Sequence, residues 1–353
     1  MTLATLAQSQ TPPYAFCGIG IGRAGRPDEF HISTAPGIQA TEHSLFRAAS
    51  ISKIVAAQTL LAAGRVGENP RLLDTPIADL LGIPFHHPGH PATPLTLRML
   101  LSHTAGLDDA AGYLIPAGTG LPDWLAAQGG KLFLPHKPGT YFSYSNLGYI
   151  LLAAAAEVLG GQPFDALTRT HVLDPLTITG GFNWAGVSAQ DWQGRLGTYR
   201  RDGTDLMAQI DGPTAARPLR PDYHLVRDIG QLSPQGGLRI SLAGMLQLAR
   251  SLAQADPTPL WSPDMGAGDT LGGVFESYGA GLQIFGTPRF YPRPLIGHFA
   301  NAYGFSGGVW WDKARNAAFC YALNGLPMGD DSDAFRAEEL AIFQRIASEI
   351  AAT

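Results

Sequence analysis

Residues 45–61 read LFRAASISKIVAAQTLL, and this stretch sets the reading of the whole chain. From Ser50 onward the residues are helix formers with apolar side chains on every turn, and Gly64 supplies a C-terminal stop. The spacing predicts a helix that opens at Ser50 and carries Lys53 three residues on. Side chains three apart share a helix face, so the Ser50 hydroxyl and the Lys53 amine can meet. A serine hydroxyl is a weak nucleophile until a base takes its proton, and a lysine serves once burial lowers its pKa toward neutrality. The helix N-terminus adds a field that favours developing negative charge. The chain holds only four lysines, Lys53, Lys131, Lys137 and Lys313, and Lys53 alone follows a serine by three. Average serine usage gives roughly 0.2 such matches by chance.

Two further motifs lie downstream. PGTYFSYSNLGYILL (138–152) contains Tyr144-Ser145-Asn146, the one Tyr-x-Asn of the sequence. A phenol can relay a proton to a leaving group, and an amide two residues on can hold a lysine or a substrate carbonyl. Gly297-His298-Phe299-Ala300-Asn301 falls on a candidate strand and runs into Ala302-Tyr303-Gly304-Phe305. A small residue at Ala300 lets a substrate approach closely, and a strand edge offers backbone N–H groups to an oxyanion.

Around these motifs the texture alternates. YAFCGIGIG (14–22) and FHIST (30–34) flank a polar turn and read as a hairpin. PLIGHFA, FSGGVWWD and AAFCYALNG are three more strand candidates, followed by a terminal helix, DAFRAEELAIFQRIASEIAA, with Phe335, Leu340, Phe343, Ile346 and Ile350 near one face. The segments between are mainly helical: TLRMLLSH, NLGYILLAAAAEVLGG and SLAGMLQLARSLAQ, the last with a serine N-cap. The expected architecture is α+β: a five-stranded antiparallel sheet built from residues 1–75 and 230–353, flanked by helices, with a mainly helical insertion over 76–229. Gly186–Gly237 is long for a connection and reads as lid-like, with a hairpin around Asp202-Gly203.

Composition excludes several functions. Of 353 residues, 45 % are apolar, and a formal charge of −5 provides no basic field for nucleic acid and no polybasic membrane patch. No segment reaches the roughly 18 apolar residues of a membrane span. The first 13 residues lack a charged n-region and a long h-region, which predicts a cytoplasmic chain, or a periplasmic one if a leader was removed. Cys17 and Cys320 both sit in strand-like runs and are expected as buried free thiols. His86, His87 and His90 fall in a Pro/Gly loop with nothing to converge them on a metal, and Asp108 and Asp109 read as turn residues. No G-x-S-x-G elbow surrounds a serine.

In order and spacing, the three motifs resemble the serine β-lactamase-like superfamily, in particular its class C β-lactamase, DD-peptidase and family VIII esterase branch. LTLRMLLSHTAGL and SPQGGLRISLAGMLQLA also look like that family's segments, and the resemblance covers roughly residues 14–350. It implies Ser50 as the nucleophile, Lys53 as its base or base partner, Tyr144 as the second proton-transfer residue and Asn146 as the group holding Lys53 and substrate. It places the oxyanion hole at the backbone of Ser50 and Asn301, and makes His103 structural. The third motif departs from the family's Lys-Thr-Gly: His298 replaces a permanent cation by a switchable one, and Phe299 removes the hydroxyl that binds a β-lactam carboxylate. Related esterases, amidases and D-amino-acid peptidases often begin this motif with histidine. The resemblance therefore implies acyl transfer from a small ester, amide or short peptide to water, with no cofactor and no metal. Esters rank first, amides or D-peptides second, and a β-lactamase or penicillin-binding sensor third. It also implies that the family's opening helix is absent here.

Overall fold

The computed structural model describes residues 2–8, 14–218, 222–286, 288–330 and 334–351. Residues 219–221 of the lid-like stretch, and Asp333 and Ala352, the first and last residues of the expected terminal helix, lie outside them.

The chain opens on a short helix, α1 (Leu3–Gln8), where the resemblance had implied none. Leu3 and Leu6 bury themselves in the core, one turn apart on the same face. Strands β1 (Phe16–Arg23) and β2 (Glu29–Thr34) form the hairpin expected from their alternation. β1 then pairs on its other edge with a strand from the far end of the chain.

The remaining strands of that sheet are β3 (Ser277–Gly279), β4 (Leu282–Phe285), β5 (Leu295–Ala302), β6 (Phe305–Asp312) and β7 (Ala317–Asn324). Their order is β3-β4-β5-β6-β7-β1-β2, with every pairing antiparallel. The sheet thus has seven strands rather than five. The two extra ones are three and four residues long, too short to show an alternation, and a tight Ala280-Gly281 turn with φ of 51° and 82° joins them. Gly281 is required there: a Cβ would lie 2.6 Å from the carbonyl oxygen of Lys53, so this turn packs on the helix that carries Lys53.

β7 is buried on both faces because a helix covers each. On one side Cys320 Sγ meets the Leu242 carbonyl of α4 (Leu242–Ser251), whose N-cap Ser241 accepts from the Gly244 N–H. On the other, Phe319 and Tyr321 pack edge-to-face against Phe343 of α5 (Ala337–Ala351). Cys17 and Cys320 are both buried, unbridged thiols, and burial holds the Cys17 thiol up at about 12.

Helices α2 (Ser52–Ala63) and α3 (Asn146–Gly160) pack together beside the sheet. Residues Leu147–Ala156 of α3 are buried all round, which explains their unbroken apolar sequence, and the buried Glu157 that follows accepts from the Phe164 and Val226 N–H groups and the Tyr223 hydroxyl. Among the described residues no single helix is long and apolar enough to cross a membrane. The long Gly186–Gly237 stretch contains the hairpin Thr198–Asp202/Asp205–Ile210, whose outer edge pairs with Leu326–Pro327.

Candidate active site

Ser50 lies in a 3₁₀ turn, Ala49–Ile51, that runs directly into α2, so the helix proper opens two residues later than its sequence suggests. Ala49 has a φ of 45°, a left-handed conformation that is costly for a residue with a side chain and is held by its surroundings. Ser52 supplies part of that hold: its hydroxyl donates to the Ala49 carbonyl at 2.6 Å and accepts from the Leu238 N–H at 3.0 Å. The turn presents Ser50 to a cavity of about 330 Å³.

Lys53 is fully enclosed. Its Nζ donates to Asn146 Oδ1 at 2.7 Å and to the Gln235 carbonyl at 2.8 Å, and lies 3.2 Å from Ser50 Oγ. Burial lowers its pKa to about 7, against a raising influence from Asp109 and with a further lowering one from Arg47. A neutral amine here keeps two N–H bonds, to Asn146 and Gln235, and points its lone pair at the Ser50 hydroxyl. That is the arrangement a general base needs.

Tyr144 neighbours both Ser50 and Lys53, its ring 4.7 Å from Lys53 Nζ. Burial raises its pKa well above 10, while the neighbouring Ser50 hydroxyl favours the phenolate and Tyr149 and Asp109 oppose it. Tyr144 therefore rests as a neutral phenol, and its hydroxyl is buried without a hydrogen bond of ordinary geometry. Asn146 is the first residue of α3, capped by the Ser145 hydroxyl, which accepts from the Gly148 N–H.

β5 runs past the Ser50 turn. Its Phe299 N–H points away from β6 and donates to Gln283 Oε1 at 2.7 Å. Alternation along the strand aims the Asn301 N–H to the same side, toward the cavity that Phe299 and Asn301 line.

A beta-lactamase family model matches residues 24–342. The chain belongs to the beta-lactamase family. Among curated relatives, penicillin-binding protein 4 of Amycolatopsis lactamdurans is 32% identical over 148 residues, 40% of this chain and 37% of that protein. The chain spans about a third of the length of the curated relatives it matches. Solved structures share the fold, two of them over nearly the whole length of both chains. The D-amino acid amidase of Ochrobactrum anthropi SV3 superposes with a TM-score of 0.72 at 17% identity, over 98% of this chain and 96% of that one. The beta-lactamase/D-alanine carboxypeptidase of Yersinia pestis gives 0.71 at 15% identity, over 96% and 93%.

Within this beta-lactamase-family site, the structure brings Ser50, Lys53, Tyr144 and Asn146 together and lines the cavity with Asn301. His298 and Ala300 are both fully buried and neither lines the cavity, although the His298 ring lies 6.0 Å from that of Tyr144. His298 Nε2 is 3.1 Å from the Tyr278 hydroxyl, and Nδ1 contacts the Phe299 carbonyl. Burial, with help from the Lys53 charge, lowers its pKa to about 3, so it is neutral rather than a switchable cation. His103 accepts the Ser145 N–H at Nδ1 (3.0 Å), and burial depresses its pKa as well. His87 bonds the Leu134 carbonyl and the Gly89 N–H.

Sequence reading missed Asp109, Gln235 and Arg47. Asp109 is more than a turn residue: its carboxylate accepts from Ser145 Oγ, from the N–H groups of Asn146 and Leu147, and from Asn146 Nδ2. It caps α3 across 36 residues of sequence. No local signal announces such a contact.

Proposed function

We propose that the protein is a serine hydrolase working through an acyl-enzyme on Ser50, with carboxylic esters as its first substrate class. The observation that carries this reading is Lys53: enclosed, poised near neutrality, and aimed at Ser50 by two fixed acceptors. Ser50 Oγ attacks the carbonyl carbon as its proton passes to Lys53. The backbone N–H groups of Ser50 and Asn301 receive the oxyanion, which is usually the largest electrostatic contribution. Collapse of the intermediate breaks the bond to the leaving oxygen. Tyr144 gives that oxygen its proton and recovers one from the Lys53 ammonium. Water then attacks the acyl-enzyme with Lys53 neutral again, releasing the acid and restoring Ser50.

Two features rank the substrates. Phe299 has no hydroxyl and His298 is buried and neutral, so this strand offers a β-lactam carboxylate neither hydroxyl nor cation. An amide or D-amino-acid peptide is the second reading. The exposed Asp269 carboxylate lines the cavity and suits a substrate ammonium, and two proteins of like fold bear the names amidase and carboxypeptidase.

The test is turnover and intact mass on a short-chain p-nitrophenyl ester, a D-amino-acid amide and a chromogenic cephalosporin, with Ser50→Ala alongside. Ester turnover that needs Ser50, with little cephalosporin loss, is the expected result. A long-lived mass adduct would indicate a penicillin-binding sensor instead. Undiminished turnover in Ser50→Ala would sink the mechanism.

A further inference from the structure

Arg47 stands three residues before Ser50, on the two-residue strand Phe46–Arg47 that pairs with Leu238–Ile240. It lines the same cavity as Ser50. Its Nε is buried and makes no hydrogen bond, and no ion pair reaches its guanidinium among the described residues. Three other arginines drawn into the fold are paired with carboxylates: Arg239 bonds Asp211 at 2.8 Å, Arg293 bonds Asp312 at 2.6 Å, and Arg336 bonds Asp330 at 2.9 Å. A half-buried guanidinium whose Nε is buried and unbonded is a costly thing to keep.

The carboxylates near it are committed or distant in the fold. Asp211 belongs to Arg239. Asp109 is spent on the start of α3. Asp269 follows the strand Ala267–Gly268, which pairs with Tyr141–Phe142, and so stands at the Ser143–Tyr144 end of the cavity.

At the other end the guanidinium lies 4.8 Å from the centre of the Tyr303 ring. Tyr303 is held at a φ of 56° in the two-residue turn between β5 and β6. The turn is clamped, since a Cβ on its Gly304 would sit 2.0 Å from the Tyr199 carbonyl oxygen. A left-handed aromatic residue costs energy, and here it fixes a flat ring against the arginine.

We infer that Arg47 is a specificity-determining residue that receives a carboxylate carried by the substrate, held beside Tyr303 within a few bonds of the scissile carbonyl. This rests on the Ser50 hydrolase reading and narrows it to esters or amides bearing an anionic group. A planar guanidinium with free donors matches a carboxylate's two oxygens.

Matched ester pairs test it, each pair differing only by the carboxylate. 4-Nitrophenyl hydrogen glutarate against 4-nitrophenyl butyrate places the charge on the acyl side. 3-Carboxyphenyl butyrate against phenyl butyrate places it on the leaving group. The readout is the ratio of kcat/KM within each pair, which cancels general damage to the enzyme. In the wild type one pair favours the anion by about tenfold or more, and Arg47→Gln collapses that ratio by a similar factor, while Arg47→Lys keeps part of it. Wild-type ratios at or below one in both pairs overturn the inference and leave the Ser50 reading standing. A preference that survives Arg47→Gln overturns the assignment to Arg47. Glutarate as a ligand for the Ser50→Ala protein gives a readout independent of turnover: Kd rises at least tenfold on adding Arg47→Gln and by less on adding Arg47→Lys, and equal Kd values with and without Arg47→Gln count against the inference.

Discussion

Asp109 holds Asn146 at two points, accepting its backbone N–H at 2.6 Å and its side-chain Nδ2 at 2.9 Å. The second contact decides which way the amide faces. With Nδ2 turned to Asp109, Oδ1 is turned to Lys53, 2.7 Å from Nζ. One carboxylate thus caps a helix, orients an amide, and places negative charge near the lysine, where it raises the amine's pKa against the stronger effect of burial.

Asp109→Asn breaks this arrangement, because an amide cannot accept at both oxygens. We expect a loss of about 1–3 kcal/mol in stability and a fall in kcat of about tenfold or more. Removing the negative charge also lowers the Lys53 pKa, so the acidic limb of the rate profile shifts to lower pH. A variant with reduced kcat and an unmoved limb would leave Asp109 as a helix cap alone.

The pH dependence itself tests which residue is the base. Lys53 must be neutral to take the Ser50 proton, and its pKa is near 7. For a neutral ester, kcat/KM should rise about tenfold per pH unit below that point and level off above it. Tyr144, held well above 10, cannot supply such a limb. A rate still climbing at pH 9 would transfer the role of base from Lys53 to Tyr144.

The same depressed pKa appears in folding. Between about 7 in the folded state and 10.5 unfolded, the unfolded chain binds the extra proton, so stability rises with pH across that window and is insensitive to Lys53 below it. Lys53→Met removes this dependence. The difference in unfolding free energy, wild type minus Lys53→Met, should grow between pH 7 and pH 10, by up to about 1.4 kcal/mol per unit. Parallel curves for the two proteins would mean that Lys53 is not desolvated as described.

What the sequence made legible follows range of interaction. Ser50 and Lys53 are three residues apart on one turn, so their meeting could be read directly. The N-cap Ser241 is equally local. The two strands around Ala280-Gly281 were illegible because three or four residues carry no period. Arg47 and Asp109 were illegible for another reason: their roles depend on partners from distant segments, or on the lack of one. That Phe299 and Asn301 line the cavity while His298 does not was illegible because a strand alternates faces, and residue type alone does not say which face meets the cavity.

His298 offers the last check. Fully buried and bonded to Tyr278, it stays neutral down to a pKa of about 3, depressed chiefly by desolvation. It should therefore contribute no ionisation to the rate profile between pH 5 and 8, and His298→Gln should leave the position of the acidic limb where Lys53 sets it. Its signature lies in stability. Between about 6.5 unfolded and 3 folded, the unfolded state binds the additional proton, so this histidine costs stability as pH falls through that window. Acid unfolding followed by tryptophan fluorescence should show wild type losing ground to His298→Gln as pH drops from 6.5 toward 4. An acidic limb in kcat/KM that moves with His298→Gln, or an acid stability gap that stays constant, would return His298 to the role of a charged substrate ligand.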